Sequence, residues 1–366
     1  MIVILFTILI IYVLFISALI FGFSKITKNE VNTLKPKTTF SIVVPFRNEA
    51  VNLPKLLLSI SKLNYHKELF EVILVDDESE EEFLITNYEF SITIINNNKK
   101  SDSPKKDAIE TAIEIAKNEW IITTDADCIV QKDWLISMDN YIQNTNVKMI
   151  AAGVTYLPKK EFLPAFQTLD FLSLQGATVG SFGIGKPFMC NGANFAYSKA
   201  FFKELNGFEG NENIASGDDV FLLQKAVSKT PKSVGFLYDS KSIVGTQTVK
   251  TWKELFMQRV RWAAKSTGYS SVFGKTLALF VFATNLSWVL GFGFWALGTL
   301  DQNYFMLFIG SKFLIDLVLL LKAARLFKTK LHWILASSLL YPFFSSSVAL
   351  YSLFGKYEWK GRTFKK

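Results

Sequence analysis

Asp125-Ala126-Asp127 closes an apolar run, Trp120-Ile121-Ile122-Thr123-Thr124. Two carboxylates at i and i+2 on an extended strand point to the same side of a sheet. Oxygen ligands fixed on a rigid strand end suit Mg²⁺ or Mn²⁺ carrying a diphosphate. The same spacing also serves turns and caps, so its meaning depends on what accompanies it. Asn48-Glu49 and Asp76-Asp77 each follow an apolar run of strand character. Ser216-Gly217-Asp218-Asp219 precedes the apolar helical stretch Val220-Phe221-Leu222-Leu223. Met189-Cys190-Asn191-Gly192-Ala193-Asn194 is small and polar, with a glycine that permits close approach of a ligand. Gln258-Arg259-Val260-Arg261-Trp262 ends an amphipathic stretch. Each pattern has a plainer reading. Asp218-Asp219 suits the first turn of a helix. Gln258 to Trp262 suits a basic-aromatic anchor beside a membrane. Asp76-Asp77 suits a turn, and Cys190 a small core position. The plain readings are independent of one another, whereas one chemical reading covers all the sites in order.

The elements that must position these groups alternate. Phe40 to Pro45 reads as a strand, and Leu53 to Leu63 as an amphipathic helix with Asn52 as its cap and Pro54 in its first turn. Glu71 to Val75 and Ser91 to Ile95 read as strands, Lys106 to Lys117 as a helix, and Trp120 to Thr124 as the strand bearing the Asp pair. Such alternation predicts an α/β fold with a parallel, Rossmann-like sheet and its ligand site at the carboxyl ends of the strands. No G-x-G-x-x-G fingerprint is present, which disfavours NAD. The two histidines, His66 and His332, and the two cysteines, Cys128 and Cys190, form no zinc pattern.

The chain is half hydrophobic, carries 34 Phe and has a mean hydropathy of +0.24, which predicts membrane segments beside a polar domain. Ile2 to Phe23 is unbroken by charge and long enough for a bilayer core. A signal peptide would carry basic residues ahead of its apolar run and a cleavage site behind it. Here Lys25, Lys28, Lys35 and Lys37 follow the run, so an N-terminal membrane helix over 1–24 with the next domain on the cytoplasmic side is expected. Thr276 to Leu300 and Phe305 to Leu321 read as two further spans within 276–354. Lys322, Arg325, Lys328 and Lys330 then make a basic loop. For the third apolar segment, Leu331 to Phe354, a full crossing would place the basic tail over 355–366 outside. Pro342 and Ser345 to Ser347 permit a kinked, re-entrant or interfacial path instead, and a cytoplasmic C-terminus is favoured. The net charge of +8 gathers at membrane flanks, and no nucleic-acid motif is present.

The ordered motifs resemble those of the membrane-bound glycosyltransferases of family 2, the group of ceramide glucosyltransferases and polysaccharide synthases. They are Val43 to Glu49, Val75-Asp76-Asp77-Glu78-Ser79, Lys105-Lys106-Asp107-Ala108-Ile109, Thr124-Asp125-Ala126-Asp127, Gly217-Asp218-Asp219 and Gln258-x-x-Arg261-Trp262. The resemblance implies a GT-A domain over 38–270 that takes a nucleoside-diphosphate sugar, with membrane helices on both sides. It assigns Pro45, Glu49, Asp76 and Asp77 to the nucleotide pocket, and Lys105 or Lys106 to the nucleotide or diphosphate. Asp127 is implied as the direct ligand of Mn²⁺ or Mg²⁺, with Asp125 nearer the ribose or donor sugar and also near the metal. Asp219 is implied as general base ahead of Asp218, because Leu222 stands three residues beyond it. Gln258, Arg261 and Trp262 are implied at the donor diphosphate and the acceptor, and Asn191 and Gly192 beside the acceptor. Glu78 stands where the family often has glycine, and Gly217-Asp218-Asp219 replaces the commoner Glu-Asp pair.

A single base acting in line implies inversion at the anomeric carbon, and an indole face such as Trp262 suits a sugar or lipid. The expected enzyme is an inverting, metal-dependent, multi-pass protein of the cell (inner) membrane. It would add a sugar to a membrane lipid or a lipid-linked glycan. A processive polysaccharide synthase and an inactive membrane scaffold of the same fold are the alternatives.

Overall fold

The computed structural model describes residues 2–28, 34–80, 87–211, 214, 217–354, 357–359 and 362–364. Glu81, Glu82, Ser216 and the tail residues Lys356, Lys360, Lys365 and Lys366 lie outside the described residues.

In chain order, α1 (Ile2–Lys25) precedes β1 (Phe40–Phe46), α2 (Leu53–Ser61), β2 (Phe70–Asp76) and β3 (Ser91–Asn96). Next come α3 (Pro104–Ile115), β4 (Trp120–Thr123), α4 (Trp134–Asn144), β5 (Met149–Ala152) and β6 (Val154–Tyr156). Then follow α5 (Phe162–Gly183), β7 (Phe195–Ser198), α6 (Lys199–Glu204), α7 (Asp218–Lys229), β8 (Val234–Leu237) and β9 (Val244–Thr246). The remainder is α8 (Trp252–Ala264), α9 (Val272–Ala296), α10 (Gln302–Phe327), α11 (Ile334–Phe354) and a hairpin of β10 (Tyr357–Trp359) and β11 (Arg362–Phe364).

These elements form two compact units. One combines residues 27–157 with 189–247; the other combines 1–26, 158–188 and 248–366. The 38–270 stretch expected as one domain is thus divided, with 158–188 and 248–270 grouped with the long apolar helices.

The first unit is built on a seven-stranded sheet in the order β3-β2-β1-β4-β7-β5-β8. Strands β3, β2, β1 and β4 are mutually parallel, while β7 runs antiparallel to both β4 and β5. Strands β1, β2 and β4 are buried runs such as Ile42-Val43-Val44 and Val72-Ile73-Leu74-Val75, as expected of a sheet covered on both faces. Pro45 is tolerated because β4 pairs β1 only as far as Val43, leaving Pro45 flanked by β2 alone. The short strands β6 and β9 form a separate parallel pair. Asn52 precedes α2 but does not cap it with its side chain, which donates instead to Glu49 Oε2 at 2.8 Å.

The second unit is helical. Helices α1, α9, α10 and α11 are each long and apolar enough to cross a membrane. The third C-terminal segment is a single helix that continues through Pro342. At ~1.5 Å per residue its length is about 31 Å, sufficient for a bilayer core. Lys322 and Arg325, expected in a loop, belong to the last turns of α10. Helix α1 packs on α5, α9 and α10. A Cβ on Gly180 of α5 would lie 2.4 Å from the Leu19 carbonyl oxygen of α1, so glycine is what lets these backbones approach. Leu9, Trp288 and Phe308 form one apolar cluster of this unit, and Val260 and Val348 another.

Within α10, Lys312 and Asp316 form an ion pair of 2.7 Å one turn apart. Asp316 also accepts a hydrogen bond from the Tyr12 hydroxyl of α1 at 2.5 Å. The Lys312 ammonium stands 5.5 Å from the Tyr12 ring centroid and 5.9 Å from that of Tyr341. A charge buried in such a helix is costly unless paired, and here each partner of the pair lies against a tyrosine.

Candidate active site

The parallel register brings three strand ends to one edge. Phe46 pairs with Asp76, and Val43 pairs with Thr123. The segments after these strands therefore emerge together, carrying Asn48-Glu49, Asp76-Asp77 and Asp125-Asp127. Because β7 is antiparallel, its first residue, Phe195, pairs with Thr123, so the loop over 190–194 arrives at the same edge. Thr123 Oγ1 donates to the Gly192 carbonyl at 2.7 Å and fixes that loop.

Two turns are stitched together at the nucleotide-side candidates. Asp76 Oδ1 accepts from the Ser79 N–H at 2.9 Å, so the plain turn role of Asp76 is present. Asp77 is buried; its Oδ1 accepts from Asn97 Nδ2 at 2.9 Å and lies 3.5 Å from Lys99 Nζ. Asn48 donates its N–H to Ser79 Oγ at 2.9 Å and accepts the Glu80 N–H on Oδ1 at 2.8 Å. Glu78 adopts φ +60°, a conformation that glycine takes more readily than other residues. Its carboxylate pairs with Lys99 and, at 3.6 Å, with Arg47.

The acidic centre is organised around Lys105, in the first turn of α3. Its Nζ lies 2.7 Å from Asp125 Oδ1 and 3.6 Å from Asp218 Oδ2. Burial is the largest single influence on this ammonium and works to lower its pKa. The carboxylates of Asp125, Asp218 and Asp219 together outweigh it and hold the pKa above the ordinary lysine value. Lys106, the adjacent candidate, goes elsewhere: its buried Nζ donates to the carbonyls of Asn211 and Ile214 at 2.5 and 2.8 Å. It therefore holds the chain that leads towards α7.

Asp219 sits in the first turn of α7. Its Oδ2 accepts from the Gly192 N–H at 2.8 Å and its Oδ1 from the Val220 N–H at 2.7 Å. A Cβ on Gly192 would lie 3.0 Å from Asp218 Oδ2 and 3.5 Å from both Asp219 Cβ and Lys105 Nζ. Glycine thus allows the loop to close on the three charges. Asn191 accepts the Ala193 N–H on Oδ1, a local cap. Asn194 is fully buried and rivets the loop: Nδ2 donates to the carbonyls of Gly153 and Ser242, and Oδ1 accepts from Trp134 Nε1.

Asp125, Asp127 and Cys128 present ligand atoms within 4.8 Å of one another. The donor set tests which metal fits. Burial, then Asp127 and Asp125, push the Cys128 thiol pKa well up, and a soft sulfur suits Mn²⁺ or Mg²⁺ less than oxygen does. Two carboxylates remain, matching a hard cation that takes the rest of its shell from water and phosphate. Thr246 Oγ1 donates to Asp127 Oδ2 at 3.0 Å. Neither Cys128 nor Thr246 belongs to a sequence pattern; the strand register alone brings Thr246 here.

In the helical unit, α8 carries Gln258, Arg261 and Trp262 and begins with a capping box between Thr251 and Glu254. Between the motif residues stands Arg259, which the sequence reading left without a role. It is buried, and its Nε donates to Asp170 Oδ2 of α5 at 2.5 Å. Its Nη1 donates to Gln258 Oε1 at 2.5 Å, and its guanidinium lies 4.2 Å from the Trp262 ring centroid. Trp262 also packs against Phe171, with centroids 6.0 Å apart. Arg261 is half-buried in the last turn.

Residues 41–205 match the family described as Glycosyl transferase family 2. The match contains the acidic centre up to Gly192 and ends before α7. Among curated proteins, the chain is 22% identical over 224 residues to Glycosyltransferase AglE of Haloferax volcanii, covering 60% of this chain and 70% of that one. It is 24% identical over 242 residues to the probable glycosyltransferase YdaM of Bacillus subtilis, covering 63% of this chain and 56% of that one. Among solved structures, the mannosyltransferase PcManGT of Pyrobaculum calidifontis, in complex with GDP-Man and Mn²⁺, is similar over 96% of both chains. The TM-score is 0.58 at 15% identity. The fold is of the GT-A type, a mixed α/β domain with long apolar helices towards both ends of the chain.

Proposed function

We propose that this protein transfers a sugar from a nucleoside-diphosphate sugar to a hydroxyl of a membrane lipid or lipid-linked glycan, with inversion. The observation that carries this reading is the acidic centre, in which Lys105 links Asp125 to Asp218 while the Gly192 N–H holds Asp219. The family match and the Mn²⁺ and GDP-Man bound by PcManGT support it.

Asp125 and Asp127 would hold Mn²⁺ or Mg²⁺, which supplies neutralisation of the leaving diphosphate. Lys105 adds a fixed positive charge beside Asp125 and is the diphosphate contact of choice, since Lys106 is engaged by backbone carbonyls. Pro45, Glu49, Asp76 and Asp77 line the nucleotide, and the resemblance gives Arg261 to the diphosphate and Gln258 and Trp262 to the acceptor. Each Asp219 oxygen accepts one backbone N–H and keeps a further lone pair, so the carboxylate can take a proton from an acceptor hydroxyl. The acceptor oxygen then bonds to the anomeric carbon as the bond from that carbon to the diphosphate breaks. One displacement in line inverts the centre.

Among the described residues, four helices able to cross a membrane favour an acceptor that lives in the bilayer, and the lysines after α1 favour a cytoplasmic active site. The test is a panel of nucleotide sugars offered with Mn²⁺ to detergent-purified protein, reading free nucleoside diphosphate. Release from one donor, abolished by Asp127→Ala, is expected. No release from any donor, with membrane lipid extract added, would favour an absent partner or the inactive scaffold.

A further inference from the structure

We propose that Thr246 is a positioning residue for the metal carboxylate Asp127, an inference that rests on the metal-dependent reading above. Three features of the sheet unit lead there. First, Gly245 and Ile129 exchange both backbone hydrogen bonds, at 2.8 and 2.9 Å, so β9 is tied directly to the chain just after Asp127. Second, the Thr246 carbonyl accepts the Leu157 N–H at 2.9 Å, and Thr246 pairs with Tyr156 in the parallel ladder. The backbone of Thr246 is therefore fixed from both sides. Third, the hydroxyl of that fixed residue donates to Asp127 Oδ2 at 3.0 Å.

A hydroxyl has one proton to give. Donating it to Asp127 Oδ2 selects one rotation of the carboxylate about its χ2, a torsion that is otherwise broad. Cys128 Sγ lies 3.8 Å from the other oxygen, Oδ1, and bounds the opposite side. Threonine is suited to the task because a β-branched side chain in a strand has a stiff χ1, so the direction of the O–H is set by the strand. Partners of this kind behind a ligating carboxylate typically change metal affinity by about 10–100-fold when removed.

The experiment titrates Mn²⁺ into the detergent-solubilised full chain in the presence of GDP and, separately, UDP, and follows free Mn²⁺ by electron paramagnetic resonance. Thr246→Val keeps the shape and β-branch but loses the donor. We expect its Mn²⁺ affinity to fall by about tenfold or more, with Thr246→Ser recovering most of the loss. In an Asp127→Asn background, Thr246→Val should have no further effect, because the carboxylate it orients is gone. If Thr246→Val does not fold, Thr246→Ala carries the same comparison. Unchanged Mn²⁺ affinity in the donor-less variant overturns the role of Thr246 while leaving the metal site standing. An unmutated protein that binds no Mn²⁺ with either nucleotide overturns the metal site and this inference together.

Discussion

Gly192 lies where three charged side chains meet, and its missing Cβ has a direct consequence for chemistry. A methyl there would stand 3.0 Å from Asp218 Oδ2 and press on the hydrogen bond that holds Asp219. Gly192→Ala is expected to lower kcat by roughly ten- to a hundredfold, since small misplacements of a catalytic group are costly. Donor affinity should change little; steady-state kinetics against donor concentration separate the two. Lys105 makes a prediction in pH. Its folded pKa is raised, so its contribution to stability is complete below the ordinary lysine range near ~10.4 and is lost only as pH rises through the higher folded value. Between about pH 6 and 9 Lys105 should therefore keep its charge. Thermal unfolding across that range should show no loss that Lys105→Gln removes. At this scale the sequence revealed the carboxylates, because paired acids at strand ends stand out in an apolar run. It could not separate Lys105 from Lys106: both stand at the start of one helix, and only the carbonyls of Asn211 and Ile214 draw the second away. Thr246 was invisible for a similar reason, since an isolated threonine carries no pattern and its partner lies 119 residues away.

At the scale of elements, the alternation of strand and helix from β1 to β4 was readable from hydrophobic period alone, and the boundaries moved by only a residue or two. The antiparallel β7 was not readable. Phe195-Ala196-Tyr197 is short and buried, and its direction is set by which strands flank it. Helix α5 was also missed, because its apolar surface is spread around the helix as it packs against α1, α10 and α11. Two ion pairs help to hold helices of the second unit, the first with both side chains buried and the second with Lys312 buried and Asp316 half-buried. Arg259 to Asp170 joins α8 to α5, and the pair Lys312–Asp316 meets Tyr12 of α1. Removing one member of a buried pair leaves an uncompensated charge and typically costs about 3–5 kcal/mol, whereas replacing both with apolar residues is far milder. Asp316→Ala should therefore lower the unfolding midpoint in detergent, and Lys312→Met with Asp316→Leu should recover much of it. An equal loss in the double variant would mean that the pair does more than balance charge. Arg259→Met should loosen α8 in the same way and disturb Gln258 and Trp262, the two motif side chains it touches.

Among the described residues there are a GT-A sheet unit and a helical unit containing four helices of membrane-crossing length. Hydropathy announced the long apolar helices, but it left α11 open because Pro342 and the serines around it are compatible with several paths. Only the packed helix displays a continuous run of that length. The metal-dependent reading predicts that excess chelator abolishes activity and that Mn²⁺ or Mg²⁺ restores it; full activity in chelator would contradict the assignment of Asp125 and Asp127. The most direct test of the account is transfer itself. Purified protein, the donor that releases nucleotide, Mn²⁺ and membrane lipid extract are incubated with a labelled sugar, and the lipid fraction is counted for the unmutated protein and Asp219→Asn. Label is expected in the lipid fraction with the unmutated protein, with its loss in Asp219→Asn and donor binding retained in both. Equal labelling by Asp219→Asn would contradict it.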